Sequence, residues 1–252
     1  MTAMTFKGFS REIITFLEGL AQNNTREWFQ KHRSEYEKYF LQGAFSFTEA
    51  MGKELVKLVP RLQFGPKIDR SVFRLNRDVR FSKEKKPYKT HLGIVFWEGP
   101  YDARQMNPGF YFQLEPYQLY LAAGAWIFTP EALTEYRRSL LDKVHSREFA
   151  KVTAKLKSDK IQLTSEFVLK KYPKGFTEDH PLAEWSKFKS LYAYQNDDGG
   201  LPEIVFRPEI IDYCLAFYKK TVQFLEWEVK LAYRAVSSMD FASNIKTRRV
   251  VI

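Results

Sequence analysis

The sequence predicts an α+β fold, in which a mainly antiparallel sheet packs against several helices. Helical periodicity fills the first part of the chain, and strand-like segments follow it. Helices then return without the strict strand–helix alternation that is typical of a parallel sheet. Because neither an internal repeat nor a linker rich in Gly, Pro or Ser interrupts the chain, we predict a single domain over residues 1–252.

The N-terminal part, residues 1–60, is predicted to be helical. Thr25 is placed to cap a helix that begins with REWFQKHRSEYEKYF, whose aromatic residues recur at helical spacing. Gly43 is expected to bend the chain, and a further helix runs from Phe45 until Pro60 ends it. This part supplies helices to cover one face of the predicted sheet.

Residues 66–126 form the strand-rich part, where the period of the apolar pattern changes from helical to alternating. The segment LEPYQ is a turn between the last two strands. The predicted strands cover residues 68–81, 91–97, 109–114 and 118–125.

Residues 130–252 are predicted to hold helices and two short strands. The tripeptide TPE at residues 129–131 is a strong helix start, since it combines a cap, a proline at the first helical position and an acid near the dipole. Ser146 is expected to cap the next helix, IQLTSEFVLKKY to contain a strand, and Pro208 to open a long final helix. The core-facing stripe of that helix is predicted at Ile211, Leu215, Tyr218, Val222, Leu225, Val229 and Ala232.

Composition limits the classes of function. The chain has 40 Lys and Arg against 30 Asp and Glu, and this basic balance suits anionic partners such as small phosphorylated molecules or nucleic acid. Cys214 is the only cysteine and histidines are few, so we predict no disulfide, no metal site and no cofactor. No apolar run reaches the roughly 20 residues of a membrane helix, and we predict a cytoplasmic protein without membrane contact. The sequence does not determine the oligomeric state.

The segment RLNRDVRFSKEKKPYKTH, residues 74–91, carries the densest charge. From Lys67 to His91 nine Lys and Arg stand against three acids. On a strand, Arg74, Asp78 and Arg80 share one face, and alternate side chains lie about 7 Å apart. Arginine is suited to gripping an anion because its planar guanidinium stays charged and matches carboxylate or phosphate oxygens.

Residue roles follow from this arrangement. Asp78 would orient the arginines, while Tyr88 and His91 would transfer protons if a reaction occurs, so these three are the candidate catalytic residues. The candidate ligand-binding residues are Arg74, Arg77, Arg80, Lys83 and Lys85, together with Lys174 from the later loop YPKGFTEDHP.

Three interpretations of the segment are open at this point. It can be a pocket for an anionic ligand, catalytic or not. It can be a nucleic-acid-binding surface in which basic residues follow phosphates and aromatic residues stack on bases. It can also be a salt-bridge lattice of purely structural value in an interaction protein. The chain has no Walker loop, dinucleotide-binding fingerprint or nucleophile elbow that would assign a reaction.

The same segment resembles the signature of a bacterial family with fungal relatives, domain-of-unknown-function family 2461. The matching positions are Arg74, Arg77, Asp78, Arg80, Phe81, Lys83, Lys85, Pro87 and Tyr88. Glu84 stands where the family usually has Asp or Asn. Similar stretches are FLEGLAQNNTREWF, GFYFQLEP, GAW and YPKGFTEDHP. The resemblance implies a single intracellular domain and brings no settled activity with it.

Overall fold

The computed structural model describes residues 6–80, 82–104, 106–197 and 199–248 and confirms the α+β class. Its five-stranded antiparallel sheet has the strand order β1-β2-β3-β5-β4. The strands are β1 (Leu92–Trp97), β2 (Gly109–Glu115), β3 (Gln118–Ala125), β4 (Gln162–Thr164) and β5 (Leu191–Asn196). The helices are α1 (Arg11–Gln22), α2 (Arg26–Lys31), α3 (Arg33–Glu35), α4 (Gln42–Leu58), α5 (Pro130–Leu141), α6 (Lys143–Ser158), α7 (Ala183–Ser186) and α8 (Ile210–Arg248).

The chain divides into two compact units. Unit 1 contains Met1–Trp97, Phe110–Ala122 and Gln195–Lys219. Unit 2 contains Glu98–Gly109, Ala123–Tyr194 and Lys220–Ile252. The division into two compact units does not test the prediction that the whole chain is a single domain, which stays a prediction.

Aromatic side chains build the core of unit 1. The ring of Phe112 on β2 lies 4.3 Å from that of Phe47 on α4, measured between centroids, and 5.6 Å from that of Phe9. The Tyr218 hydroxyl on α8 donates a hydrogen bond of 2.9 Å to the backbone carbonyl of Tyr111. Alternate residues of β2 therefore enter this core while their neighbours face the other side of the sheet.

The core of unit 2 combines aromatic packing with buried carboxylates. Phe149 on α6 and Trp227 on α8 lie 5.0 Å apart between ring centroids. Glu135 is buried, but Arg138 and Arg234 each bind it at 2.8 to 2.9 Å. That buried charge is therefore neutralised inside the unit.

Glu228 on α8 is a different kind of buried acid. Its side chain is fully buried, and neither carboxyl oxygen has a hydrogen-bond partner among the described residues. Burial raises its pKa well above the usual value, and the nearby amide of Ala125 opposes that shift only in part. Burial therefore disfavours the charged form of the Glu228 carboxyl group.

The predicted stripe of α8 omits Glu228 because it considers apolar residues alone. The observed buried face is rotated from it and holds Cys214, Phe217, Thr221, Phe224, Glu228, Leu231 and Ala235 besides the predicted Leu215, Tyr218 and Leu225. The outcome shows that helical period predicts the element well and its inward face less well.

One of the predicted strands is wrong. Residues 68–80 form isolated bridges rather than a regular strand, and Phe81 lies outside the described residues. Gly43, where a bend was predicted, lies inside α4 and beside the Phe9 ring. The segment IQLTSEFVLKKY contains a strand as predicted, but β4 covers only Gln162–Thr164 of it.

The start of α6 is also displaced from the prediction. Ser146 does not cap this helix, because Asp142 is its N-cap and Ser146 lies inside the helix. The Asp142 carboxylate accepts hydrogen bonds of 2.9 Å from the amides of Val144 and His145.

Among the described residues, no helix has both the length and the apolar character needed to cross a bilayer.

Candidate functional site

The charged segment folds back on itself in unit 1. The chain that leads into this segment runs beside β1, where the Phe73 amide donates a hydrogen bond to the Gly93 carbonyl at 3.0 Å. It then turns and returns through an antiparallel bridge between Asn76 and Tyr88. The Lys89 amide donates to the Leu75 carbonyl at 2.7 Å. We call residues 74–91 the basic hairpin.

The basic hairpin keeps the predicted alternation of side chains without being a regular strand. Leu75 is buried, whereas Arg74, Asn76, Asp78 and Arg80 are exposed. The exposed polar row is therefore present. Its two arms pair with each other at a single bridge, Asn76 with Tyr88, so the side chains alternate without a regular strand ladder.

Asn24 anchors one side of the hairpin. Its Nδ2 donates to the Tyr88 carbonyl and its Oδ1 accepts from the Tyr88 amide, each at 3.0 Å. The Tyr88 ring is buried and stacks on Phe29 with 4.5 Å between centroids. The structure thus places Tyr88, a predicted proton-transfer residue, in a packing position.

We expect Asn24→Ala to destabilise the protein by about 2–3 kcal/mol, because two hydrogen bonds to a part-buried backbone are lost together. Hydrogen exchange at the Tyr88 amide should quicken at the same time. Asn23→Ala is the matched control, since its Nδ2 donates to the Gly19 carbonyl one turn back, in an exposed hydrogen bond. Equal losses of thermal stability in the two variants would contradict the anchoring role.

At the tip of the hairpin, which we define as residues 77–80 and 82–86, two carboxylates form ion pairs with three of the cations. Asp78 binds Arg80 through two hydrogen bonds, Nε to Oδ1 at 2.9 Å and a terminal nitrogen to Oδ2 at 2.7 Å. These bonds lower the pKa of Asp78 to about 2, so it is ionised at pH 7. Glu84 likewise binds Arg77 at 2.7 Å and Lys86 at 3.2 Å.

Lys85 and Lys83 differ in their surroundings. The Lys85 ammonium donates to the Val79 carbonyl at 3.0 Å, which closes the tip. Lys83 is exposed and forms no hydrogen bond or ion pair within the part of the chain that the structure describes. Lys174 is exposed in unit 2, so it belongs to a different compact unit from the hairpin.

A second group of cations lies at the base of the hairpin. Burial lowers the pKa of Lys89, and the nearby Arg74 guanidinium lowers it further, against an opposing effect of Asp69. The Lys89 ammonium also lies 5.0 Å from the centroid of the Phe73 ring. Neither Arg74 nor Lys89 forms an ion pair with any described residue.

His91 adjoins this base. Burial lowers its pKa to about 4, and the Lys89 charge adds to the effect. The imidazole is therefore neutral at pH 7, when it can accept or donate a hydrogen bond. We call Arg74, Lys89 and His91 the basal cluster.

The predicted site residues thus separate into two groups. Asp78, Arg77, Arg80 and Lys85 form contacts within the tip, whereas Arg74 and His91 belong to the basal cluster. Sequence reasoning missed Lys89, which it counted only as charge. A hairpin alignment of the segment could have identified Lys89, because it places this residue opposite Leu75 and therefore close to Arg74.

A family model described as "Conserved hypothetical protein (DUF2461)" matches residues 12–227. The chain belongs to this family. The match includes the whole basic hairpin, α1 from Glu12 onward, α2 to α7 and the first part of α8 up to Trp227, so the DUF2461 match reaches both compact units. No curated protein matches the chain. Among the described residues of this DUF2461 protein, no group of three or more His, Cys, Asp or Glu could hold a metal ion.

Proposed function

We propose that the basal cluster binds a phosphate-bearing or other anionic ligand. The observation that supports this most is the pairing of Arg74 with a half-buried Lys89, close enough for one charge to lower the pKa of the other. Holding two like charges together costs free energy unless an anion lies between them. No described carboxylate forms an ion pair with either residue, so a foreign anion would relieve their repulsion.

The cations of the tip are proposed to have a secondary role. Arg77 and Arg80 are already engaged by Glu84 and Asp78, and a ligand would have to compete with those carboxylates. Lys83 and Lys85 can add to the positive potential that attracts the ligand. Lys174 stays a prediction, because it lies in unit 2.

A reaction at this site stays a prediction, and His91 is the residue best suited to it. Its neutral imidazole lies beside the proposed anion site, although a pKa of about 4 makes it a weak base. Asp78 is held as a carboxylate by Arg80, and the Tyr88 ring is packed on Phe29. We therefore propose that Asp78 and Tyr88 shape the hairpin rather than transfer protons. A cytoplasmic location also stays a prediction, supported by the single cysteine.

A thermal-shift series tests this function. Inorganic phosphate, pyrophosphate and sulfate would be titrated against the wild type and Arg74→Ala at low ionic strength. An anion at 100 times its dissociation constant should stabilise the wild type by about 2.7 kcal/mol. The shift should largely disappear in Arg74→Ala. No stabilisation of the wild type by any of the three anions would count against the proposal.

Nucleic acid is the competing outcome of the same series. A single-stranded oligonucleotide added at equal phosphate concentration should stabilise the protein no more than pyrophosphate does. Much stronger stabilisation, with a steep salt dependence, would favour a nucleic-acid-binding surface instead.

A further inference from the structure

We infer that the ligand of the basal cluster carries a planar ring as well as its anionic group, and that it is a nucleoside phosphate. This inference rests on the proposed function. The structural feature behind it is a row of aromatic rings, Phe73, Tyr111 and Tyr120, which we call the aromatic row. All three residues belong to unit 1.

The aromatic row begins at the basal cluster. The Lys89 ammonium lies 5.0 Å from the Phe73 ring centroid. The ring centroids of Phe73 and Tyr111 are 6.1 Å apart and those of Tyr111 and Tyr120 are 6.5 Å apart, both in edge-to-face contact. A ligand whose phosphate lies at Lys89 would therefore extend its other end along these rings.

The aromatic row occupies the sheet face opposite to the core. On β2 and β3 the alternate residues Phe110, Phe112, Leu119 and Leu121 are buried, whereas Tyr111 and Tyr120 are only half-buried. Phe73 is also half-buried. Large rings left in part accessible on a sheet face are typical of stacking surfaces for ligand rings.

Gly93 on β1 brings the aromatic row close to the strand. A Cβ atom at this position would lie 2.8 Å from the Tyr111 hydroxyl and 3.2 Å from the Phe73 ring. The missing side chain thus lets both rings approach the backbone. The row is consequently a packed arrangement rather than a set of loose surface side chains.

Hydrogen-bonding groups accompany the rings along β2. The Tyr111 hydroxyl donates to Oε1 of Gln113 at 2.5 Å, and Nε2 of Gln113 donates to Glu115 at 2.5 Å. Gln113 and Glu115 are half-buried and keep further donor or acceptor capacity, whereas the Tyr111 hydroxyl lies deeper, where burial raises its pKa. A nucleobase suits such a strip, because it combines a flat face for stacking with a polar edge.

Calorimetric titration with four probes tests the inference: inorganic phosphate, ribose 5-phosphate, and the nucleotides AMP and UMP. Ribose 5-phosphate differs from the nucleotides in lacking the base, so it isolates the contribution of the ring. We expect at least one nucleotide to bind about tenfold more tightly than ribose 5-phosphate, equivalent to about 1.4 kcal/mol.

Variants of the aromatic row locate the ring. Tyr120→Leu should remove most of the tenfold preference and leave the affinity for inorganic phosphate unchanged, whereas Tyr120→Phe should retain the preference. Tyr117→Leu is the control, because this tyrosine is 69% exposed at the β2–β3 turn. Should Tyr120→Leu fail to fold, Phe73→Leu would be used instead. The comparison of nucleotides with ribose 5-phosphate in the wild type tests the inference without any variant.

The outcomes separate this inference from the proposed function. Binding of phosphate with no preference for either nucleotide over ribose 5-phosphate would overturn the inference alone. A preference that survives both Tyr120→Leu and Phe73→Leu would also overturn it, because the ring would then bind elsewhere. Absence of binding by all probes, phosphate included, would overturn the proposed function and the inference together.

Discussion

Gly124→Ala is expected to destabilise the protein by about 2–5 kcal/mol, through backbone strain and overpacking combined. Gly124 on β3 has a φ of +131°, a backbone conformation that residues other than glycine rarely adopt. An added Cβ would also lie 2.6 Å from the Leu191 carbonyl oxygen and 2.8 Å from Glu228. Both neighbours are fixed inside unit 2, so little relaxation is available.

Thermal and urea denaturation would measure this effect. For a chain of this size each kcal/mol lowers the midpoint temperature by about 2–4 °C. Gly199→Ala is the control, since a Cβ there meets nothing within 4 Å. It should be neutral or slightly stabilising. A Gly124→Ala variant as stable as Gly199→Ala would contradict the close packing around Gly124.

Acid is expected to destabilise the protein through His91. Its pKa falls from 6.5 to about 4 on folding, so the unfolded chain takes up a proton more readily than the folded protein. Stability from this group is therefore complete above pH 6.5 and is lost as the pH falls toward 4. At about 1.4 kcal/mol per pKa unit, the loss is about 3 kcal/mol.

His91→Gln would isolate this contribution, because glutamine keeps hydrogen-bonding capacity and does not titrate. The unfolding free energies of wild type and variant would be compared from pH 7 to pH 4. The wild type should lose about 3 kcal/mol more than the variant over this range. Glu228 acts in the opposite direction, since its raised pKa removes stability as the pH rises above its usual value. Parallel pH profiles for the two proteins would refute the assignment to His91.

Elements with strong local signals could be predicted from the sequence. Strand β3 has its predicted bounds, Gln118–Ala125, because alternation and a turn signal mark it locally. Helix α5 begins at Pro130 as predicted, with the Thr129 hydroxyl accepting from the Ala132 amide at 3.2 Å. Such features depend on neighbouring residues alone.

The basic hairpin could be predicted only in part. Its exposed polar row follows from alternation, but its shape depends on the contact between Asn24 and Tyr88, which are 64 positions apart. The ion-pair partners were equally hidden, because Arg77 reaches Glu84 only once the tip has closed. Sequence reasoning could therefore recognise a charged surface and could not tell engaged cations from those at the base.

The protonation of Lys89 tests the central proposal most directly. Its side chain would be followed by NMR with selectively labelled lysine, during titration of pH with and without inorganic phosphate. Because an anion between Arg74 and Lys89 stabilises the ammonium, phosphate should raise the pKa of Lys89. The rise should vanish in Arg74→Ala and persist in Arg80→Ala. A Lys89 pKa unchanged by saturating phosphate, or a rise that depends on Arg80 instead of Arg74, would contradict an anion site at the base of the hairpin.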